Sequence, residues 1–201
     1  MRRFHHRADR GATLIEFALV VPLLALLAFG TAEIAFAFTA ANRVESAVAQ
    51  AGRVAASSGA QRDADVNILL NLQSALGPEA LANVDRVVIF KADSASGAVP
   101  ENCVKPRNST DETGILGICN TYNGNTVRTL TSAAVGFSGP CSGLAKDRYW
   151  CPSNRNDSLS DPPDWIGVWV RTKHVNQTGT YFGDFTLTET AVYRIQPDFT
   201  G

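Results

Sequence analysis

A long apolar run near the N-terminus constrains this chain more than any other feature. Residues 17–32 include no charged side chain, and after Glu33 the chain stays largely apolar through Ala41. At about 1.5 Å of rise per residue, a bilayer core of about 30 Å needs about 20 helical residues. The run reaches that length if Glu33 is tolerated or lies near the far membrane interface. The sequence therefore predicts one membrane-spanning helix, and Pro22 fits within it because membrane helices contain proline more often than soluble helices do.

The charges on the two sides of this run predict its orientation. Four arginines precede it, whereas the next charges after Glu33 are the balanced Arg43 and Glu45. The positively charged side of a span stays in the cytoplasm. The sequence thus predicts a cytoplasmic N-terminus and places everything after about residue 42 outside the membrane. The four arginines are Arg2, Arg3, Arg7 and Arg10.

A carboxylate, Glu16, stands where the apolar run begins. A charge near the end of a membrane span is unfavourable by about 1–3 kcal/mol unless a partner neutralises it. Two simpler explanations of the N-terminus leave this residue unexplained. A cleaved signal peptide, for which Ala35-Phe36-Ala37 offers a cut site, has an apolar region of only about 7–15 residues. An uncut signal anchor fits the length but needs no glutamate.

These residues resemble the N-terminus of type IV pilin-like proteins and, among them, the TadE-like pseudopilins of tight-adherence (Flp) pilus systems. The resemblance rests on a basic leader that ends in Gly11, on Glu16 as the fifth residue after that glycine, and on the adjacent Phe17. Val-Val-Pro-Leu-Leu at 20–24 completes the pattern. The run 165–197 is similar, more loosely, to the end of TadE-like proteins.

The resemblance implies both a processing step and an assembly step. A prepilin peptidase would cut between Gly11 and Ala12, where glycine lets the backbone enter a tight active site without obstruction. Glu16 of one subunit would then accept a charge-assisted hydrogen bond from the new Ala12 amine of a neighbour. The implied partners are the peptidase, other pilin-like subunits, the pilus assembly machinery and the lipid bilayer.

All four cysteines lie in the part of the chain predicted to be exported. An even set outside the membrane is typical of two disulfides. Three pairings are open, and we favour the local one because it closes the shortest loops. A zinc site is less consistent with the sequence, since four-cysteine sites usually contain Cys-x₂₋₄-Cys pairs. The local pairing joins Cys103 to Cys119 and Cys141 to Cys151.

Apolar and small residues at helical spacing continue the first helix beyond the membrane to about Ser57. Small residues let another helix approach closely. This stripe is therefore expected to pack against its own domain, against neighbouring subunits, or against both at different positions along the helix. The stripe comprises Val44, Ala47, Val48, Ala51, Val54 and Ala55.

The rest of the exported part predicts an α+β domain. Asp63 is expected to cap a second helix that ends at Gly77-Pro78. The apolar, β-branched run at residues 84–90 predicts a buried strand. Residues 94–160 lack a sustained period, which predicts disulfide-held loops. Two alternating runs within 165–195 predict an antiparallel pair of strands, so that the long helix lies against a small antiparallel sheet.

The composition excludes several classes of function. The chain has 201 residues and a net charge of −1, and no basic block follows the leader, so we expect no nucleic-acid partner. The one histidine beyond the leader, His174, lies in a predicted strand, and no hydrolase, phosphate-loop or metalloprotease motif accompanies it. We interpret it as a surface residue, and the sequence predicts no catalytic residue, no cofactor, no metal site and no enzyme.

The sequence therefore predicts a membrane-anchored pseudopilin or minor pilin that assists assembly of a tight-adherence pilus for adhesion. Its expected layout is a removable leader over 1–11, a span over 12–41, a helical extension over 42–58 and an extracytoplasmic domain over 59–201. The alternative is an exported hydrolase or carbohydrate-binding domain held by an uncut signal anchor. Glu16 and the Gly11-Ala12 junction distinguish the two.

Overall fold

The computed structural model describes residues 9–105, 110–131, 141, 143, 145–177 and 183–197. Most of the expected leader, residues 1–8, lies outside this set. The chain divides into two units: one comprises the chain up to Thr39 together with Asn176–Gly183, and the other comprises Ala40–Val175 and Asp184–Gly201. The helices are α1 (Asp9–Ser58), α2 (Ala64–Ala82), α3 (Glu101–Val104), α4 (Gly124–Thr129) and a short 3₁₀ turn (Pro152–Asn154); the strands are β1 (Val84–Ala92), β2 (Cys119–Asn123), β3 (Trp165–His174) and β4 (Phe185–Arg194).

Four antiparallel strands form one sheet in the order β2-β1-β3-β4. The predicted pair of alternating runs is the β3–β4 ladder, which pairs Trp165 with Arg194 at one end and His174 with Phe185 at the other. The predicted buried strand is β1, which lies between β2 and β3. The α+β class is thus confirmed, with a long N-terminal apolar helix, a small antiparallel sheet and two disulfides.

The second half of α1 packs onto its own domain. Its buried stripe joins a core with apolar residues of α2 and the sheet, so the predicted contact with its own domain is present. The approach is closest at Gly52, where an added Cβ would lie 2.6 Å from Cε2 of Tyr193. The absence of a side chain at Gly52 therefore allows α1 to pack this closely against Tyr193 of β4. The buried stripe comprises Val44, Ala47, Val48, Ala51 and Ala55.

Helix α2 departs from its expected form at both ends. Asp63 occupies the N-cap position, but its side chain makes no capping hydrogen bond, so that expectation was wrong. The predicted end at Gly77-Pro78 is a kink rather than a terminus, and helical structure resumes to Ala82. Gly77 adopts φ 72° and ψ 170°, which glycine tolerates, and Pro78 then begins a new helical turn, where its missing N–H costs nothing.

The region expected to consist only of disulfide-held loops also contains short regular elements. Strand β2, helices α3 and α4 and the 3₁₀ turn all lie within 94–160. Cys103 of α3 is joined to Cys119 of β2, and Cys141 is joined to Cys151. These are the local pairs, and the first attaches α3 to the sheet. The expectation of long irregular loops was therefore only partly correct.

Candidate functional site

The predicted processing and assembly residues lie together in the first turns of α1. The helix begins at Asp9, so Gly11, Ala12, Glu16 and Phe17 are all helical. Ala12 and Glu16 are four positions apart and therefore lie on the same face of the helix. Glu16 is exposed, and Phe17 beside it is 68% exposed. Among the described side chains, none forms an ion pair with Glu16.

Gly11 has no packing reason to be glycine. A Cβ added to it would meet no atom within 4 Å. Glycine is less favourable than alanine by up to about 1 kcal/mol in a helix interior, and by less in the first turn, where Gly11 lies. Because the described contacts do not compensate for this cost, the fold of the chain does not explain Gly11.

The helix beyond Glu16 carries apolar side chains on all sides. The segment Thr13–Ser58 is long and apolar enough to cross a membrane, and its most apolar stretch is not buried inside the protein. The core helix of a soluble domain would be mostly buried, so these side chains need an apolar environment from outside the chain. Pro22 does not interrupt the helix. This is the character of a membrane anchor.

The second glutamate of the apolar region, Glu33, differs from Glu16. Its side chain is only 3% exposed, and the backbone N–H of Gln177 donates a hydrogen bond to its Oε1 at 3.2 Å. The protein itself therefore accommodates this carboxylate. Local sequence patterns do not reveal this contact, because the two residues are 144 positions apart.

A buried ion pair between Arg155 and Asp65 is the main polar feature that the sequence did not reveal. Both side chains are 0% exposed, and an Nη of Arg155 lies 2.6 Å from Oδ1 of Asp65. The other oxygen of Asp65 accepts hydrogen bonds from Tyr122 at 2.5 Å and Asn120 at 2.8 Å. Burial, and then the charge of Asp65, raise the pKa of Tyr122 well above its usual value, which keeps its hydroxyl a donor. The network joins α2, β2 and the segment after Cys151.

Asp147 is buried near this network without comparable support. It is 1% exposed, and within the described part of the chain its Oδ1 has no hydrogen-bond partner. Burial, and then the negative charge of Asp65, raise its pKa from 3.8 to about 6. Because the unfolded chain loses this proton at lower pH than the folded chain, Asp147 lowers the free energy of unfolding as pH rises from about 4 through 6.

Asp147→Asn is therefore expected to stabilise the protein by about 2–3 kcal/mol at pH 8, where the wild-type carboxylate is charged in both states. At pH 3.5 the two proteins are expected to be equally stable, since the wild-type carboxyl is then largely protonated. Urea unfolding of the full chain in detergent micelles, followed by tryptophan fluorescence at both pH values, measures the difference. A difference that does not depend on pH would contradict the assignment.

His174 is not the surface residue that the sequence suggested. It is 4% exposed, and its ring centroid lies 4.9 Å from that of Phe185. The interpretation was wrong because even-numbered residues of β3, such as Ile166 and Val168, face the core with the helices. Across the described residues, no group of three or more His, Cys, Asp or Glu side chains is placed to hold a metal ion.

Comparison with known proteins bears on the N-terminal part of the chain. Residues 11–53 match the family model described as TadE-like protein, which covers 43 of the 201 residues. No curated protein and no solved structure gives a significant match. The match begins at Gly11, the glycine that the fold does not explain, and it confirms the resemblance seen in the sequence. Residues 11–53 are therefore a TadE-like segment.

Proposed function

We propose that this protein is a membrane-anchored pseudopilin or minor pilin that assists assembly of a tight-adherence pilus. One observation carries the proposal: Glu16 is exposed at the start of an apolar helix, within the TadE-like segment, and no described side chain pairs with it. A positive charge brought by another molecule would neutralise a carboxylate in that position. A neighbouring subunit with a free N-terminal amine is such a molecule.

The proposed layout follows from this role. A prepilin peptidase removes residues 1–11 on the cytoplasmic side, and 12–41 crosses the membrane. Residues 42–58 continue the helix outside, and 59–201 form the extracytoplasmic domain. Two disulfides in that domain support the orientation, because disulfides persist in oxidising compartments and are rare in the cytosol.

The contact between subunits has a simple physical basis. Cleavage leaves an ammonium group on Ala12, and Glu16 of the neighbouring subunit accepts its hydrogen bond in an apolar surrounding. A buried pair of this kind adds little net stability, because both charges lose their hydration. It fixes the axial position of one helix against the next, since any other register leaves two charges unpaired. Pilin-like subunits and the assembly machinery are thus the proposed partners.

A hydrolase or carbohydrate-binding domain on an uncut anchor accounts for fewer of the observations. An uncut anchor needs neither a helical glycine without packing contacts nor a glutamate within the apolar helix. No observation on the described residues favours this second function, so we do not propose it.

The processing step predicts a defined mature N-terminus. Mass spectrometry of the membrane-extracted protein is expected to find Ala12 as the first residue. Gly11→Leu is expected to block cleavage, because the leucine side chain obstructs the backbone in the peptidase site. Gly11→Ala is the matched control and is expected only to slow cleavage. Gly11→Leu leaves the fold intact, since a Cβ at this position meets no atom within 4 Å.

Two results would contradict the processing proposal. One is an intact N-terminus, from Met1 through Arg10, in cells that contain the peptidase. The other is a protein that begins at Phe38, which identifies a signal peptide cut after Ala37.

A further inference from the structure

Strand β4 forms one edge of the sheet, and it is long and regular for an edge strand. It has ten residues and no proline, it pairs with β3 without a register shift, and none of its residues is fully buried. Natural proteins usually protect an edge by keeping it short, by adding a bulge, or by placing lysine or proline on it. β4 has no bulge, no proline and no lysine, and its charged residues are Glu189 and Arg194.

The hydrogen bonds around β4 show which backbone groups point away from the sheet. The N–H of Ile195 donates to the carbonyl of Asp164 at 3.0 Å, which continues the β3–β4 register. Hydrogen-bonding direction alternates along an antiparallel strand, so the odd-numbered residues of β4 bond to β3. The even-numbered residues therefore direct their N–H and C=O groups outward. We call these outward groups of Thr186, Thr188, Thr190, Val192 and Arg194 the open edge.

The open edge ends where α1 covers the chain. The next outward N–H, that of Gln196, donates to the carbonyl of Ala56 in α1 at 2.7 Å. Over the described residues, no hydrogen bond reaches the outward groups of the open edge itself. Five successive outward positions are thus available to another strand.

The opposite edge of the sheet is closed. Ile115 donates its N–H to the outward carbonyl of Cys119 at 3.0 Å, and Glu112 accepts the N–H of Asn123 at 3.2 Å. The Cys103–Cys119 disulfide holds further chain beside this edge. Copies of this chain therefore cannot extend the sheet by pairing β2 of one copy with β4 of the next.

Symmetric pairing of two β4 strands is also unsuitable. The Ala40–Ser58 part of α1 runs along β4, with Gly52 beside Tyr193 and Ala56 bonded to Gln196. An antiparallel two-fold pair would reverse this part of α1 along with β4, so the Ala40 ends of the two copies, which continue into the apolar run, would point in opposite directions. A parallel two-fold pair would place each residue of β4 opposite the same residue of the other copy. The outward N–H and C=O groups of the two strands would then lie at the same level and could not form the staggered hydrogen bonds of a parallel ladder. The occupant of the open edge is therefore a different chain.

The charges beside β4 indicate the chemistry of that occupant. Glu189 lies on the face of β4 that packs under α1, with Ala191 and Tyr193, and it is partly buried. Its pKa is raised by burial and by the nearby charge of Glu45 in α1. No described cation forms an ion pair with either carboxylate. A strand with a basic side chain at this position would neutralise them, whereas an acidic one would be repelled.

We propose that the open edge of β4 binds an extended segment of another exported protein, which adds as a fifth strand and places a lysine or arginine opposite Glu189. The backbone ladder gives affinity, and the carboxylates of Glu189 and Glu45 select the partner. The exposed threonines on the other face suit an added strand, since threonine is favoured in strands. This interaction is separate from the Glu16 contact in the membrane.

Two synthetic peptides test the proposal on the full chain in detergent micelles. Both are ten-residue alternating Thr-Val sequences, one with lysine and the other with glutamate at a central position. We expect the lysine peptide to bind about tenfold more tightly by fluorescence anisotropy. On binding, the amides of Thr188 and Thr190 should become protected from hydrogen exchange, while those of Glu189 and Ala191 are protected with or without peptide.

Three variants assign the binding to this edge. Thr190→Pro removes an outward N–H without removing a bond to β3, and it is expected to weaken peptide binding by about tenfold or more. Thr190→Ala keeps the N–H and should bind like wild type. Glu189→Gln should remove the preference for the lysine peptide. Glu16→Ala should bind the peptides normally, so failure here is distinguishable from failure of the proposed membrane contact.

Several outcomes would overturn the proposal. One is that neither peptide binds at a concentration of about 1 mM, which corresponds to a binding free energy weaker than about −4 kcal/mol. Equal affinity of the lysine and glutamate peptides for wild type would overturn the charge assignment. Exchange protection outside β4, or a wild-type dimer that Thr190→Pro dissociates, would show a different site or a second copy as occupant. If Thr190→Pro does not fold, the exchange pattern of the wild type decides.

Discussion

Glu16→Ala is expected to abolish association with partner pilins while leaving membrane insertion and leader cleavage intact. The expectation follows because the substitution is favourable for the free energy of the monomer in lipid and unfavourable for that of the assembly. In the monomer, removing a carboxylate from the start of an apolar helix is favourable in lipid by about 1–3 kcal/mol. In the assembly, the same change leaves the Ala12 amine of a neighbour without its acceptor, in an apolar surrounding. A simple anchor predicts only the first effect, namely better insertion and no change in association.

Glu16→Gln separates charge from hydrogen bonding in this contact. Glutamine keeps a carbonyl acceptor at nearly the same position but cannot neutralise an ammonium group. If the pairing is ionic, Glu16→Gln should lose most of the association that Glu16→Ala loses. Leu19→Ile is the matched control, because it alters a nearby apolar side chain, 73% exposed in the structure, without touching the charge.

Crosslinking and co-purification of the mature protein with partner pilins, together with counts of pili per cell, measure the effect. The mature N-terminus of each variant must be mapped in the same samples, so that a loss of assembly is not confused with a loss of cleavage. If both glutamate variants assemble as wild type does, Glu16 is a tolerated boundary residue, and the proposed function loses its main support.

The parts of the fold that follow local periodicity could be predicted from the sequence. The apolar run became a helix through Pro22, the small-residue stripe from Val44 became its buried face, and the alternating runs became β3 and β4. Each depends on side chains whose spacing alone determines which face is buried. Glu16 is singled out by its position at the start of an apolar run, and its role in assembly stays a prediction.

The parts that failed depend on contacts between distant positions. Strand β2 has only five residues and gains its place from β1, the disulfide and the loops around it, so no local pattern reveals it. The hydrogen bond from the backbone of Gln177 to Glu33 joins positions that lie far apart along the chain. His174 was expected to be exposed because a lone histidine in a strand usually is. It is buried because, like Ile166 and Val168, it occupies an even-numbered position of β3, and these positions face the core.

Loss of the buried ion pair between Arg155 and Asp65 is expected to lower the free energy of unfolding strongly. Arg155→Met removes a guanidinium that lies 2.6 Å from Asp65, donates to the carbonyl of Gly59 at 2.9 Å and stacks on the Trp150 ring at 4.2 Å. The Asp65 carboxyl would stay at 0% exposure without this cation, with Tyr122 and Asn120 as its described neutral donors. Breaking a buried pair by removing one partner destabilises a protein by about 3–5 kcal/mol.

Arg171→Met is the matched control, since Arg171 also pairs with an aspartate but the pair is partly exposed, at 27% and 42% for the two side chains. Exposed ion pairs contribute about 0–1 kcal/mol, so this variant should unfold close to wild type. The double variant Arg155→Met, Asp65→Asn should recover part of the loss, because no buried charge is then left without a partner. Urea unfolding of the full chain in micelles measures all four proteins. Equal losses for Arg155→Met and Arg171→Met would mean that water reaches Asp65, and that the segment after Cys151 is held by the disulfide and by packing rather than by this charge pair.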